Sequence, residues 1–234
     1  MVYQYAINIS EVASFQEVVN LATCISHERR EKLRKFRFDK DKLHCMFAEM
    51  LLKYALHERY AINDFHLERN AYGKPSLVGR DDIFFNLSHS GDWVVCGVGD
   101  QNLGIDVERM EEIERNIADE FFSKKEVEFL KTISEKDWLD VFYSIWTLKE
   151  SYTKNVGEGL SIPLDSFSII PNQNHIVLYI REDKSEKFFF QTCSLDAQHK
   201  LALCVSGGKN NSGNDLKILN LKDFIQEGVL CWNP

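Results

Sequence analysis

The apolar positions of the first 60 residues predict one strand followed by helices. Residues 2–9 alternate loosely between apolar and polar, which favours a strand. Residues 11–24 have helical spacing, with Ser10 where an N-cap is expected. Residues 41–60 predict a long amphipathic helix with a core side of Met46, Met50, Leu51, Tyr54, Ala55 and Leu56. Between these helices, Ser26 is a candidate N-cap for a cationic helix whose core-facing residues would be Leu33, Phe36 and Phe38.

The middle of the chain predicts further strands and turns. Residues 65–68 favour a short strand, and residues 70–75 favour a turn because they contain a Gly-x-Pro pattern. Residues 93–98 are apolar, and a polar turn at 100–102 separates them from an alternating segment at 104–109. Two strand patterns joined by so short a turn predict a β-hairpin.

The second half is predicted as helices first and strands afterwards. Residues 117–122 and 125–133 favour two short helices, and Ser123 followed by Glu126 is typical of a capping box. Residues 138–155 predict the main helix of this half, with Gly157 as its C-terminal cap. Strand patterns follow at 167–170, 176–180, 187–192 and 201–205.

The end of the chain is less informative, although it contains a faint internal repeat. Residues 207–214 predict a polar loop, and the pattern of residues 216–234 does not predict where that tail packs on the rest of the protein. Residues 85–99 and 190–207 share the order strand, polar turn and apolar strand ending in glycine. The similarity is too weak to demonstrate a duplication by itself.

The composition is typical of a globular protein without a basic surface. The chain has 234 residues, which is enough for one large domain or two of about 110 residues each. Its net charge of −8 argues against a general nucleic-acid binder, which needs a basic face. The six cysteines form no Cys-x-x-Cys pair and no zinc-site spacing. Because no signal peptide or membrane-span pattern appears, we expect a cytoplasmic protein without a membrane partner.

Two acidic residues share one face of the segment 104–109. Strand side chains alternate, so Asp106 and Glu108 should point the same way while Ile105 and Val107 pack behind them. Adjacent carboxylates repel each other, and a divalent cation with oxygen ligands is the usual means of holding them together. Taken alone, a short Asp-x-Glu pattern more often marks two solvated residues on an edge strand.

A carboxylate and a cation also share one face of the predicted helix 138–155. Glu150 and Lys154 lie four residues apart and are therefore neighbours on the helix surface. By itself this spacing is typical of an exposed ion pair, which stabilises a protein by only a few tenths of a kcal/mol. Lys149 would point about 100° away from Glu150, so Lys154 is the better candidate for chemistry with Glu150.

Taken in order, these pieces resemble the 4′-phosphopantetheinyl transferase superfamily, and most closely its large, two-lobed, surfactin-synthetase-activating type. The resemblance rests on Gly104-Ile105-Asp106-x-Glu108, then Phe121-Phe122-Ser123 with Glu126, then Trp146-x-x-Lys149-Glu150-Ser151-x-x-Lys154. It implies an α+β fold with two pseudo-symmetric lobes, each a small antiparallel sheet packed with helices. Residues 1–103 would bind the phosphates and adenine of coenzyme A. Residues 104–234 would carry the metal site, the transfer chemistry and the docking surface for a carrier protein.

The reaction implied by the resemblance transfers 4′-phosphopantetheine from coenzyme A to a serine of an apo-acyl or peptidyl carrier protein, releasing 3′,5′-ADP. Asp106, Glu108 and Glu150 would hold Mg²⁺, with Mn²⁺ as the alternative. Lys154 would neutralise charge on the phosphates. Glu150 or a metal-bound water would take the serine proton, and the sequence leaves both open.

The resemblance also implies coenzyme A contacts in the first half of the chain. The residues concerned are Arg29 and Lys32 at the 3′-phosphate, Gly73, Lys74 and Pro75 at the adenine and a phosphate, and Ser88 and His89 at the phosphates. Without the resemblance, the cationic helix would be an ordinary solvated face. At His44-Cys45 the chain departs from the arginine or threonine usual in this family, which puts a polar contact there in doubt.

Several alternatives remain open at the level of sequence. Non-ribosomal peptide or polyketide carriers are favoured by the family subtype, with a fatty-acid carrier as the alternative. A metal-dependent nuclease or a non-catalytic coenzyme A binder would use similar residues, although the acidic net charge opposes a nuclease. We expect a monomer with coenzyme A in a cleft between its lobes. The carrier should dock near Arg109 and a patch of Ile117, Phe121 and Phe122, unless these three apolar residues belong to the core.

Overall fold

The computed structural model describes residues 1–172, 175–207 and 216–231. The α-helices are α1 (His27–Leu33), α2 (Asp39–Tyr60), α3 (Ile117–Phe121), α4 (Lys124–Lys131), α5 (Trp138–Val156) and α6 (Leu221–Cys231). The strands are β1 (Val2–Asn8), β2 (Leu67–Arg69), β3 (Pro75–Leu77), β4 (Phe84–Ser90), β5 (Trp93–Gly99), β6 (Leu103–Arg109), β7 (Phe167–Asn172), β8 (His175–Ile180), β9 (Asp183–Ser185), β10 (Phe188–Asp196), β11 (His199–Ser206) and β12 (Leu216–Leu219).

The same order of elements occurs twice. In the first half, β1 is followed by the long helix α2, a small sheet of β2 and β3, and the hairpin β4–β5. In the second half, β6 is followed by α5, a small sheet of β7, β8 and β9, and the hairpin β10–β11. In both units the second hairpin strand pairs with the first strand, giving the orders β1-β5-β4 and β6-β11-β10. The predicted α+β fold of two pseudo-symmetric lobes is therefore confirmed, and the faint sequence repeat corresponds to the two hairpins.

The two larger sheets face each other, and each is covered by a helix on its outer side. Val2, Ala6 and Val95 of the first sheet share a buried cluster with Ile105 and Val107 of the second. On the outer faces, α2 packs on the first sheet and α5 on the second. The small sheet β7–β8–β9 extends the α5 core.

The predicted hairpin between residues 93 and 109 is wrong. Strand β5 pairs with β1 on one side and β4 on the other, so both of its edges are occupied. Strand β6 pairs with β11 instead, with Asp106 opposite Ala202. Residues 100–102 therefore carry the chain from one sheet to the other rather than around a hairpin turn.

The helix caps predicted at Ser26, Ser123 and Gly157 are confirmed, whereas the predicted helix 11–24 is not. The Ser26 hydroxyl accepts a hydrogen bond from the Arg29 backbone N–H, and Ser123 with Glu126 forms the predicted capping box. Gly157 ends α5 with a φ of 84°. The predicted helix 11–24 is only a 3₁₀ segment over residues 15–24, kinked at Val18, where two consecutive β-branched valines disfavour a regular helix. Ser10 therefore caps no helix.

Other details of the core also differ from prediction. Phe38 does not face the core: it is 62% exposed and lies against the Arg37 guanidinium. It precedes the first residue of α2 in extended conformation, and this position directs its ring outward.

The tail, which the sequence left unplaced, belongs beside the N-terminal strand. Strand β12 pairs in parallel with β1, and Phe224 of α6 packs against Phe47 of α2. In sequence, β12 belongs to the second half of the chain, but its sheet partners all precede residue 104. The boundary between the two lobes at residues 103 and 104 stays a prediction. Most of the predicted loop 207–214 lies outside the described residues. Across the part of the chain that the structure describes, no helix has the length and apolar character to cross a membrane.

Candidate active site

The two lobes meet where β4 and β6, edge strands of different sheets, lie side by side. The side chain of Asn86 accepts a hydrogen bond from the Ile105 backbone N–H at 2.9 Å. The Ser90 hydroxyl likewise accepts from the Arg109 backbone N–H at 3.0 Å. Residues 86, 88 and 90 share one face of β4 because strand side chains alternate. Polar side chains of β4 thus bond to β6 where a continuous sheet would use backbone carbonyls.

Asp106 lies at the centre of this seam. It is 2% exposed, and its Oδ1 atom accepts hydrogen bonds from Ser88 Oγ at 3.0 Å and Lys154 Nζ at 2.6 Å. Lys154 also donates to Ser88 Oγ at 2.8 Å, so the three side chains form a closed network. The other carboxylate oxygen, Oδ2, is buried without a hydrogen-bond partner among the described residues. A buried carboxylate oxygen without a partner is costly, so a ligand at Oδ2 would stabilise the site.

Glu108 and Glu150 complete an acidic cluster around Asp106. Ser90 Oγ donates to Glu108 at 3.0 Å. Burial, followed by the charge of Asp106, raises the pKa of Glu108 to about 7. The same two causes raise the pKa of Glu150. The three carboxylates are therefore close enough to disfavour each other's ionisation.

The donor set of this cluster suits a hard cation, since carboxylate oxygens are the ligands that Mg²⁺ prefers. The unpartnered Oδ2 of Asp106 and the mutual repulsion of the acids fit such an ion. Within residues 1–172, 175–207 and 216–231, however, the side-chain positions bring no group of three His, Cys, Asp or Glu residues close enough to hold a metal ion. Lys154 supplies the positive charge beside Asp106.

Helix α5 approaches β6 closely because residue 104 is glycine. A Cβ atom there would lie 2.0 Å from the Ser151 carbonyl oxygen and 2.4 Å from the Asn155 backbone nitrogen. These atoms follow Glu150 and Lys154 directly in the chain, so this backbone contact sets the distance from the helix side chains to Asp106.

Lys149 lies outside the acidic cluster. Its Nζ atom is fully buried and donates to both carboxylate oxygens of Glu126, at 2.7 and 2.8 Å, and to the Phe167 carbonyl at 2.8 Å. This pair joins α5 to α4 and β7. Its geometry agrees with the ranking of Lys149 below Lys154.

The Gly73-Lys74-Pro75 turn lies against the end of α5. Lys74 Nζ donates to Asn102 Oδ1 at 2.7 Å, to the Asn155 carbonyl at 2.8 Å and to the Leu103 carbonyl at 3.2 Å. Burial lowers the pKa of Lys74 to about 8. The ammonium thus has three partners at the seam, and a cavity of about 210 Å³ lies beside it. The turn itself borders that cavity together with Lys154.

The remaining predicted contacts occupy two places. His89 is exposed, but one face of its ring stacks on buried His44, with ring centroids 4.4 Å apart. Although the residue is exposed overall, protein atoms packed around its ring desolvate it, and this desolvation, followed by the charges of His44 and Lys154, lowers the pKa of His89. Arg29 and Lys32 lie apart from these residues, in a groove of about 510 Å³. The structure thus brings Ser88 to Asp106 and Lys154, and leaves Arg29 and Lys32 in a separate groove.

A further cavity of about 420 Å³ is lined by Ser90 and Glu108 and by the apolar side chains of Ile117, Phe142 and Trp146. Of the predicted patch, Phe121 is 39% exposed and packs edge-on against Trp146, whereas Phe122 is only 3% exposed and belongs to the core.

Sequence reasoning gave no role in the site to Asn86, Ser90 or Glu49, and it left a polar contact at His44-Cys45 in doubt. Ser90 and Asn86 could have been found from the period-two polar pattern of β4, Asn86-x-Ser88-x-Ser90. Glu49 gave no signal, because a buried polar residue inside an amphipathic helix looks like part of its solvated face.

The fold and the site together define a two-lobed α+β protein with an acidic, lysine-containing site at the seam. A sequence model of the 4′-phosphopantetheinyl transferase superfamily matches residues 102–204, and a model of the N-terminal part of 4′-phosphopantetheinyl transferases matches residues 12–100. The 4′-phosphopantetheinyl transferase Sfp of Bacillus subtilis is 34% identical over 204 residues, covering 86% of this chain and 91% of that protein. This chain therefore belongs to the 4′-phosphopantetheinyl transferase superfamily.

Other known proteins are similar to the chain to different degrees. The 4′-phosphopantetheinyl transferase gsp of Aneurinibacillus migulanus is 35% identical over 217 residues, covering 91% of this chain and 90% of that protein. A holo-[acyl-carrier-protein] synthase of Thermotoga maritima superimposes with a TM-score of 0.40 and 19% identity, covering 46% of this chain and 64% of that structure.

Proposed function

We propose that this protein transfers the 4′-phosphopantetheine group of coenzyme A to a serine hydroxyl of an apo-carrier protein, releasing 3′,5′-ADP. The observation that carries the proposal is the convergence of Asp106, Glu108, Glu150 and Lys154 at the lobe seam, in a chain of this superfamily. Phosphoryl-type transfer depends mainly on positioning and charge neutralisation, and this cluster offers both.

Asp106, Glu108 and Glu150 are the residues that would hold Mg²⁺, which when bound neutralises phosphate charge and polarises phosphate oxygens. Lys154 contributes a second positive charge, 2.6 Å from Asp106 and 2.8 Å from the Ser88 hydroxyl. The serine oxygen bonds to the phosphorus that carries the pantetheine chain, and the bond from that phosphorus to 3′,5′-ADP breaks. Glu150 or a water molecule takes the serine proton.

Coenzyme A would extend from this cluster over the first lobe. Its pyrophosphate would lie at Ser88, His89 and Lys154, because Lys154 places a positive charge beside both Ser88 and the acidic cluster. The adenine would lie at the backbone of Gly73 and Pro75, which border the neighbouring cavity. Lys74 would stabilise that turn through its hydrogen bonds at the seam and would not contact a phosphate, because its three donors are already bonded.

At the far end, the 3′-phosphate would lie in the groove of Arg29 and Lys32. Both cations border the same space, which supports this assignment. The coenzyme would then contact both lobes, and grooves between lobes are common ligand sites.

The carrier protein would approach along the cavity between Glu108 and Trp146. Its serine must reach the acidic cluster, and the apolar side chains of Ile117, Phe121 and Trp146 offer contact area beside it. We propose carriers of non-ribosomal peptide or polyketide synthesis as partners, with a fatty-acid carrier as the alternative. We also propose that the protein works as a cytoplasmic monomer, since one chain supplies both halves of the site.

The test is incubation of the protein with coenzyme A, MgCl₂ and an apo-carrier, followed by mass spectrometry of the carrier. The expected result is one added phosphopantetheine on the carrier serine and equimolar 3′,5′-ADP. A carrier serine→alanine variant is the control for the acceptor. An unchanged carrier in every condition, with apo-carriers of all three pathways, would contradict the proposal.

A further inference from the structure

Glu49 of α2 is a buried carboxylate outside the acidic cluster. It is 2% exposed and accepts three hydrogen bonds: from the Ser26 backbone N–H at 2.5 Å, from Ser26 Oγ at 3.1 Å and from Arg29 Nε at 3.0 Å. One helical turn earlier on the same face, Cys45 Sγ accepts from Arg29 Nη1 at 3.7 Å. Helix α2 therefore fixes the guanidinium at two of its nitrogens.

The fixed guanidinium faces a ligand-sized space. Arg29 and Lys32 line the groove of about 510 Å³ together with Phe65, His66 and Arg69. The Arg29 side chain is 14% exposed, which is little for an arginine on a short surface helix. Among the described residues, the hydrogen bonds of its guanidinium involve Nε and Nη1 and none involves Nη2.

We infer that Glu49 is a positioning residue for recognition of the 3′-phosphate of coenzyme A, acting through Arg29; this inference rests on the proposed function. A free arginine side chain loses much rotamer entropy when it binds a phosphate. Glu49 and Cys45 remove that freedom beforehand, so more of the guanidinium–phosphate interaction remains as binding energy.

Anchoring α1 does not by itself require the contact between Glu49 and the arginine side chain. Ser26 Oγ already caps the helix by accepting the Arg29 backbone N–H at 3.2 Å. The bond from Arg29 Nε to Glu49 concerns the orientation of the guanidinium. An amide cannot replace the carboxylate, because one oxygen cannot accept all three donors and the NH₂ group would face another donor.

The experiment compares coenzyme A with 3′-dephospho-coenzyme A, which lacks only the phosphate in question. Initial rates of transfer to an apo-carrier give kcat/KM for both donors. We expect the wild-type protein to prefer coenzyme A, and Glu49→Gln to lower that preference about tenfold, mainly through the KM of coenzyme A, as expected for losing a good charge-assisted hydrogen bond. Arg29→Ala should lower it similarly, and the double variant should lower it no further.

Two further variants separate positioning from folding. Arg29→Lys keeps the charge on a surface helix but loses the planar fork that Glu49 and Cys45 hold, so it should lose most of the preference. Glu58→Gln removes a carboxylate from the same helix, where Glu58 accepts bonds from Tyr5 and Lys217, and serves as the matched control. It should lower the melting temperature without changing the preference.

The outcomes distinguish this inference from the proposed function. An unchanged or increased preference in Glu49→Gln, or a full preference in Arg29→Lys, overturns the positioning role. Equal use of both donors by the wild-type protein overturns it too, while leaving transfer from coenzyme A intact. Failure of the wild-type protein to modify any carrier would instead contradict the proposed function itself.

Discussion

Replacement of Gly104 by alanine tests how closely α5 must approach β6 for activity. The added Cβ would lie 2.0 Å from the Ser151 carbonyl oxygen, whereas such contacts under 3.0 Å essentially never occur. The helix backbone must therefore move by about 1 Å, because no flexible side chain at this point can yield instead. Glu150 and Lys154 would move with it, away from Asp106.

Two effects of different size should follow from Gly104→Ala. Overpacking of this kind typically costs about 1–3 kcal/mol in the free energy of unfolding, which urea denaturation measures. A misplacement of about 1 Å in a catalytic group can lower a rate about 10²-fold. We therefore expect a folded protein whose kcat for carrier modification, at saturating coenzyme A, falls about 10²-fold.

Gly97→Ala is the matched control because Gly97 is also a crowded strand glycine. Its added Cβ would lie 2.6 Å from Leu103 Cδ1, the end of a side chain that can rotate away. We expect some loss of stability and a kcat close to that of the wild-type protein. If Gly104→Ala kept a normal kcat, or if Gly97→Ala lost as much activity, helix placement against β6 would not be what limits the reaction.

Three other perturbations address the carboxylates and their partners. Asp106→Ala removes a buried carboxylate that Ser88 and Lys154 contact, so it should lower the urea midpoint more than Glu108→Ala does. Each variant should abolish transfer, and near-normal turnover by either at saturating coenzyme A would refute the metal assignment. Lys149→Met should lower the free energy of unfolding by about 3–5 kcal/mol because Glu126 becomes a buried, unpaired charge. A second change, Glu126→Leu, should restore much of the lost stability. A Lys149→Met protein as stable as the wild type would contradict this reasoning. Burial opposes ionisation of Asp196, but hydrogen bonds from its neighbours prevail and lower its pKa to about 2. The stability that this carboxylate contributes should therefore be present above its ordinary pKa near 4 and decline as the pH falls toward 2, so Asp196→Asn should flatten that acid limb in thermal melts.

The sequence was most informative where a signal is local. The shared face of Asp106 and Glu108 follows from strand alternation, and the caps at Ser26 and Ser123 follow from side chains that bond within the same turn. Glu150 and Lys154 followed from helix periodicity. Each of these inferences concerns residues fewer than five positions apart.

Errors arose where pairing is set by distant parts of the chain. The short link at 100–102 favours a hairpin, but β1 had already taken the edge of β5 that β6 would need. The bonds of Lys74 to Asn102 and Asn155 depend on the docking of two lobes, which no local pattern encodes. Glu49 is similar, because its role depends on a helix that precedes it by 20 residues and packs across it.

The repeated unit explains why the acidic cluster lies at the seam. Each of the two larger sheets has one edge strand at the seam, β4 in the first sheet and β6 in the second. Backbone hydrogen bonds between these two strands would join the sheets into one. Instead, Asn86 and Ser90 accept the N–H groups of β6, and Ser88 donates to Asp106. Ser90 does both, because it accepts the Arg109 N–H and donates to Glu108. The polar face of β4 thus joins the two lobes and also contacts the carboxylates. Neither unit could build this site alone, which is why the residues that identify it are distributed over both halves of the chain.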